Sequence, residues 1–425
     1  MQLFRFYMEW QAILALVFLV IAIALGFAKG MNTGVVSMGL ALIACMICGL
    51  SDSQLQSGFP VNMFLILFGT MFLFGIAQKT ETMALLARKV IALVGNASWL
   101  LPWAIFLLTF AVSALGAGPA PSIAIVALPA LSLAVELGVS PFLFGVMCSI
   151  GGCGGAASPF STAGIVAQAL IEDFGWSALQ PAYFINAFIG HFIVALAAYL
   201  VLRGWRIKPE KKIDRKDIPG FNRNQVLTLI GIGVFIALVI LLGRNVGLTA
   251  LIVGLVLVML KVVPSDQSVI KDLAWNTLLL ICGVSVLMNV VVLTGGVDLI
   301  VAFLSSLMNE FTAQPVMSLT AGIMSWFSTT TSVVMPTLIP TIPGILENIG
   351  DIVSPIALLS ALCNGSFSAA VSPLSAGGGI ILGTYVQLTK CDAAEQSRMF
   401  RNLFLIAVFC VIVMMLVAAT GIYLG

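Results

Sequence analysis

Two stretches of the chain hold the side chains best suited to chemistry. Residues 154–165 read GGAASPFSTAGI and residues 368–379 read SAAVSPLSAGGG. Each sets hydroxyls, a proline and glycines inside an uncharged run, 137–171 and 352–389. Ala156, Ser158, Pro159, Ser161 and Gly164 recur 214 positions later as Ala370, Ser372, Pro373, Ser375 and Gly378. These serines have no plausible base beside them in sequence, so they read as binding groups rather than nucleophiles. A helix broken at such a point frees N–H groups that favour anions and carbonyls that suit a small cation.

The elements that must hold these breaks follow from composition. Of 425 residues, 60% are hydrophobic and 8% charged. A soluble globule carries about 25% charged residues, so the chain reads as a polytopic, all-α membrane protein. Apolar runs of spanning length lie near 11–29, 33–50, 61–78, 141–172 and 181–203, and again near 226–243, 247–263, 275–293, 353–389 and 401–424. That is about ten spans. Two further apolar segments, 99–137 and 315–347, are interrupted near the middle at LGAGPAPS (115–122) and FSTTTS (327–332). Their halves look too short for ordinary spans, so both are expected to be re-entrant hairpins. Amphipathic stretches at 80–97 and 294–311 fit connecting arms. The N-terminal span lacks a cleavage signature and is expected to be retained.

The 214-residue offset extends beyond the two breaks. Gln11 pairs with Gln225, Asn62 with Asn276, Gly69 with Gly283 and Ser140-Pro141 with Ser354-Pro355. A fixed offset along nearly the whole chain implies an internal duplication: residues 1–203, a linker over 204–224, and residues 225–425. Residues 203–223 carry eight Lys/Arg and should face the cytoplasm. Both termini then lie outside, and 17 of 19 basic residues fall on the cytoplasmic side. Five spans per half insert the halves in opposite senses, an inverted-topology repeat expected in the inner (plasma) membrane.

Backbone freed at membrane depth survives only where it is buried or lines a polar cavity. Four breaks in matching register are therefore expected to converge on a substrate and ion site near the midplane. Other classes lack the residues they need. There is no HExxH, no paired intramembrane aspartate and no Ser/His arrangement for an intramembrane enzyme. A pump would need a P-loop, and a channel would more often show a charged ring or filter. The eight cysteines, Cys45 and Cys48 included, read as small buried hydrophobes rather than metal ligands. His191, the one histidine, reads as a packed polar group before a proton relay.

With these residues in place, the chain resembles the ion transporter superfamily of divalent-anion/sodium symporters, and within it dicarboxylate carriers of the MatC (malonate carrier) type. The resemblance rests on SPFSTAGIVAQALIEDFG, SPLSAGGGIILGTY and the hairpins that precede them. It implies two re-entrant hairpins, two unwound helices, a homodimer and an elevator movement. It places the hairpin tips at Gly118 to Ser122 and Thr329 to Ser332, and the unwound loops at Ser158 to Gly164 and Ser372 to Gly378. Family symporters carry Ser-Asn-Thr at these tips, where this chain has Pro-Ala-Pro (119–121) and Thr-Thr-Ser (330–332). The site is therefore expected to be weighted toward the second half.

Substrate contacts are expected from Ser122, Ser158, Ser161, Thr162, Thr329, Thr330, Thr331, Ser332, Ser372 and Ser375. A coupling cation would use Gly116, Gly118, Gly155, Ala156, Ser328, Asn364 and Ala370. No cofactor or nucleic acid is expected, only a small carboxylate and the lipid bilayer. No charged residue falls within 90–135, 137–171, 311–346 or 352–389 to meet that carboxylate. Burying it costs several kcal/mol per charge, on the order of 5, and a helix N-terminus returns at most about 2. Sodium is the expected source of the missing positive charge. The alternative is a proton-coupled carrier of a monocarboxylate or another small polar solute.

Overall fold

The computed structural model describes the chain except residues 1, 30, 87–88, 90–97, 208–218, 243–244, 274, 328, 351 and 424–425. Most of the basic linker and most of the 80–97 arm thus lie outside the described residues. Among those described the chain is all-helical. One set of helices comprises α1 (Gln2–Lys29), α2 (Thr33–Cys48), the short α3 (Asp52–Ser57) and α4 (Val61–Lys79). Next come α5 (Leu101–Val112), α6 (Pro119–Glu136), α7 (Pro141–Gly154), α8 (Thr162–Glu172) and α9 (Gln180–Val201). The second half repeats the order with α10 (Arg223–Leu242), α11 (Val246–Met259), α12 (Asp266–Ile270), α13 (Trp275–Leu293) and α14 (Gly296–Ser306). It ends with α15 (Ala313–Phe327), the helical run α16 (Thr330–Ile349), α17 (Pro355–Ser368), α18 (Ala376–Thr389) and α19 (Ala393–Ala419).

Local sequence sets many of these bounds. Ser51 and Ser265 cap α3 and α12 through their side chains, and each is followed by an Asp in the first turn, where the helix dipole favours it. Ser-Pro opens both α7 and α17, with proline at a first-turn position that needs no N–H. The bounds recur at the sequence offset: α4 and α13, α7 and α17, and the starts of α8 and α18 are each 214 residues apart.

Among the described residues, five helices are long and apolar enough to cross a membrane, or up to seven if each of two bent pairs is one span. Several of the ten expected spans, including α2 and α11, are shorter apolar helices of 10–17 residues. The second arm of the first hairpin, α6, has 18 residues and reaches spanning length, so shortness of the halves does not define that hairpin. In the second hairpin α15 and α16 meet at 118°, and α14 turns 82° away from α13 at Gly295. The 294–311 arm is therefore a separate helix set across the end of a span.

Packing sorts the helices into two sets. In one, α4 lies on α11, α2 on α13, α1 on α2 and α10 on α11. Glycine permits the closest crossings: a Cβ at Gly69 would run into Gly247, and one at Gly283 into Gly34. In the other set, α5, α6 and α9 surround α7, while α15, α9 and α19 surround α17. The sets meet where α4 faces α8 and where α13 and α14 face α16. The helix breaks lie along that seam.

Candidate functional site

Both broken helices are built the same way. After α7 and α17 the chain tightens into 3-10 turns, Gly155–Ala157 and Ala369–Val371. It then runs extended through Ser158 and Ser372. Each serine hydroxyl accepts from the N–H two residues on, Phe160 and Leu374, both at 3.3 Å. Such local bonds offer backbone an alternative to the helix ladder. The chain then closes back over the next helix, so that a Cβ at Gly164 would strike Ser158 O and one at Gly378 would strike Ser372 O.

The hairpin tips differ. At the first, α5 continues through a π-turn, Ser113–Ala117, and two glycines at positive φ make the reversal, Gly116 (124°) and Gly118 (82°). Either would be strained with a side chain, and a Cβ at Gly116 would also strike the Phe74 ring. At the second tip Thr329 is extended, and the backbone enters α16 through a π-turn, Thr330–Val334. Val333 N and Val334 N both donate to Thr329 O, at 3.0 and 3.2 Å.

A cavity of about 510 Å³ lies where the tips and breaks meet, within the usual range for small-molecule sites. Met71, Phe74, Gly75 and Gln78 of α4 and Leu280 and Ile281 of α13 form one wall. Its hydroxyls come from Thr162, Ser325, Thr329, Thr330, Thr331, Ser332 and Ser375. Thr330 Oγ1 is held between Ser325 Oγ (2.9 Å) and Ser366 Oγ (2.8 Å), all three buried. Among the described lining residues Asp272 carries the only charge. Its carboxylate accepts from Lys79 Nζ at 2.8 Å. That hydrogen bond and charge, with the Lys271 charge nearby, hold the carboxyl below the ordinary range.

Thr162, Thr329, Thr330, Thr331, Ser332 and Ser375 thus come together, with Gly116 and Ala370 beside them. Other expected contacts stay out of the cavity wall. Ser122 donates to Pro119 O (2.8 Å) and Ser158 to Ala114 O (2.6 Å), so these hydroxyls hold backbone. Ser372 lies buried inside the break, and Ser161 is buried with its Oγ unpartnered among the described residues. Gly155 and Ala156 are buried in the 3-10 turn and Gly118 is set against Thr162. Asn364 donates to Asn186 O (3.2 Å) behind the site. The Ala370 carbonyl already accepts from Ser375 Oγ at 2.6 Å. Ser328 lies outside the described residues.

Gln78, Ser325, Ser366 and Asp272 were not among the expected residues. Ser325 and Ser366 carried a readable signal, as hydroxyls in uncharged runs about one turn from a break. Gln78 and Asp272 carried none, because their place depends on how α4 and the α12–α13 turn flank the bundle.

Residues 8–156 match the family model of the dicarboxylate carrier protein MatC N-terminus. The matched stretch includes the α4 wall and the first tip, and it ends before Thr162 and the whole second half. No curated protein matches the chain. Among solved structures, the chain is similar to the YdaH transporter of Alcanivorax borkumensis, whose crystal structure is described as revealing an unusual topology. The TM-score is 0.54 at 12% identity, over 87% of this chain and 86% of that one. At that identity the likeness is one of fold.

Proposed function

We propose that the protein is a secondary active carrier of small carboxylates, coupled to a cation, with sodium as the coupling ion. One observation carries this reading. Breaks from both halves meet at a cavity between two helix sets, and the described lining residues offer hydroxyls and helix N-termini but no basic side chain. The MatC-type match over residues 8–156 supports a carrier and brings dicarboxylates into the substrate class.

A carboxylate here gives up hydration worth several kcal/mol, on the order of 5. Helix N-termini return at most about 2 kcal/mol each. A co-bound hard cation, held by carbonyls and hydroxyls at the breaks, makes up the difference. Alternating access by an elevator movement of the bundle against the other helix set fits a site on the seam between them. Opposed insertion of the two halves and external termini follow from the charge partition, and the mouth near Lys79 and Asp272 is then cytoplasmic. A homodimer completes the proposal.

Proton coupling is the second reading. It is favoured by His191, which is buried with Nδ1 2.9 Å from Ala187 O and Nε2 unpartnered among the described residues. Uptake of labelled malonate into proteoliposomes separates the two. Sodium coupling predicts counterflow in sodium, as for a carrier, and uptake that collapses when choline replaces sodium at fixed pH. Undiminished uptake that follows an imposed proton gradient rejects sodium and promotes His191.

A further inference from the structure

Three rings hold the first break from outside. Phe160, just past Ser158-Pro159, stands edge-on to Phe235 of α10 with centroids 5.8 Å apart. Phe235 in turn stands edge-on to Phe74 of α4 at 6.4 Å. Phe235 is wholly buried and Phe74 is 8% exposed. Thr228 and Ile232, on the same face of α10, are buried as well, and α8 packs along α4.

The residues 214 positions away are Leu374, Ile21 and Met288. All three are apolar, so the pattern is kept, yet two of them are left open. Leu374 is 40% exposed and Ile21 37%. Leu14 and Phe18, the mates of Thr228 and Ile232, are only half-buried. Where α8 packs on α4, the main packing of α18 is on α6. Met288 is buried in one cluster with Val333 of the second tip, as Phe74 lies against Gly116 of the first. Both tips thus rest on their wall helices, but the apolar residue of the second break has no seat.

We infer that these residues are the two positions of one apolar latch: Phe160 on Phe74 and Phe235 is the position closed here, and Leu374 seats on Met288 and Ile21 when the cavity opens to the other side. This rests on the carrier reading above and on the opposed insertion of the halves. In an inverted repeat, a contact that one half makes in one access state falls to its mates in the other. Seating Leu374 offsets the packing lost at Phe160, which keeps the two states close enough to exchange. The positions are not equal, because ring pairs add to plain apolar contact. The state seen here is therefore the more populated, and removing a ring shifts the population toward the other.

The test is photocrosslinking of the full-length protein in proteoliposomes, with Leu374→p-benzoylphenylalanine as the label. The offset position is a phenylalanine, so an aromatic ring suits the seat. Products should link 374 to peptides that hold Ile21 or Met288. Adding Phe160→Leu should raise their yield about two- to tenfold, with malonate counterflow retained. Phe235→Leu removes a different ring of the set and should act in the same direction, which covers the case of a Phe160 variant that does not fold. Counterflow without any link from 374 to α1 or α13 overturns the latch and leaves the carrier reading intact. A yield that folded ring variants leave unchanged does the same. A wild-type protein that shows no counterflow overturns both.

Discussion

The two halves share a backbone and differ in the side chains set on it. Both breaks have the same 3-10 turn, the same serine-to-N–H bond at 3.3 Å and the same glycine closing on the serine carbonyl. At the tips the likeness ends. The second tip anchors Thr330 between Ser325 and Ser366, whereas the positions 214 residues earlier are Gly116, Ala111 and Gly152. One half thus keeps hydroxyls and N–H groups, and the other replaces them with alanine, glycine and proline. The difference teaches that two matching breaks can keep one geometry while the tips beside them carry different polar groups.

The comparison breaks first if Thr330 is dispensable. Thr330→Val leaves two buried hydroxyls without their shared partner, and each unsatisfied group costs about 1–3 kcal/mol. Substrate affinity in uptake assays should fall about ten- to hundredfold. An unchanged affinity would show that the second tip carries no more of the site than the first.

The shared backbone is tested by Gly164→Ala and Gly378→Ala. Each added methyl strikes a carbonyl of its own break, and overpacking of this kind costs about 1–3 kcal/mol. Thermal unfolding should drop by similar amounts in the two variants. A large drop in one alone would mean that the breaks are not equivalent.

Smaller effects separate Ser332 from Ser122. Removing one neutral hydrogen bond costs about 0.5–1.5 kcal/mol. Ser332→Ala should therefore weaken uptake affinity up to about tenfold, while Ser122→Ala, whose hydroxyl faces Pro119 O, should leave affinity alone. Equal losses would place the first tip back in the site.

The smallest effect belongs to the mouth. Asp272 has its carboxyl held down by Lys79, so the pair's contribution is present above the ordinary carboxylate value, about 3.9. It is lost as pH falls through the lower folded value. Asp272→Asn should shift unfolding least of these variants, and its difference from wild type should vanish only in acid. A difference that instead disappears near neutral pH would point to another titrating group.

Much of the fold was legible because it is written in local signals. The serine caps at 51 and 265, the Ser-Pro starts at 140–141 and 354–355 and the uncharged runs sit where the helices begin and continue. Span count was less legible, since an apolar run does not show how much of it coils as one straight helix. Among the site residues, the threonines at 329–331 reach the cavity, but Ser158 and Ser372 are drawn into their own turns. A serine beside a broken helix has free carbonyls and N–H groups within reach, and sequence does not say whether it turns to them or to a ligand.

Composition and spacing alone determined that this is a polytopic helical membrane protein with breaks in register, because burying so much apolar surface and ending a helix are decided within a few residues. They also determined that Pro119 and Pro121 bring no N–H to the first tip, since a missing N–H is missing in any fold. The tertiary structure decided which hydroxyls face the cavity. It brought Ser366 of α17 to Thr330, α4 to the opposite wall and Lys79 to Asp272. Those contacts join residues far apart in the chain, and their directions depend on where separate helices cross.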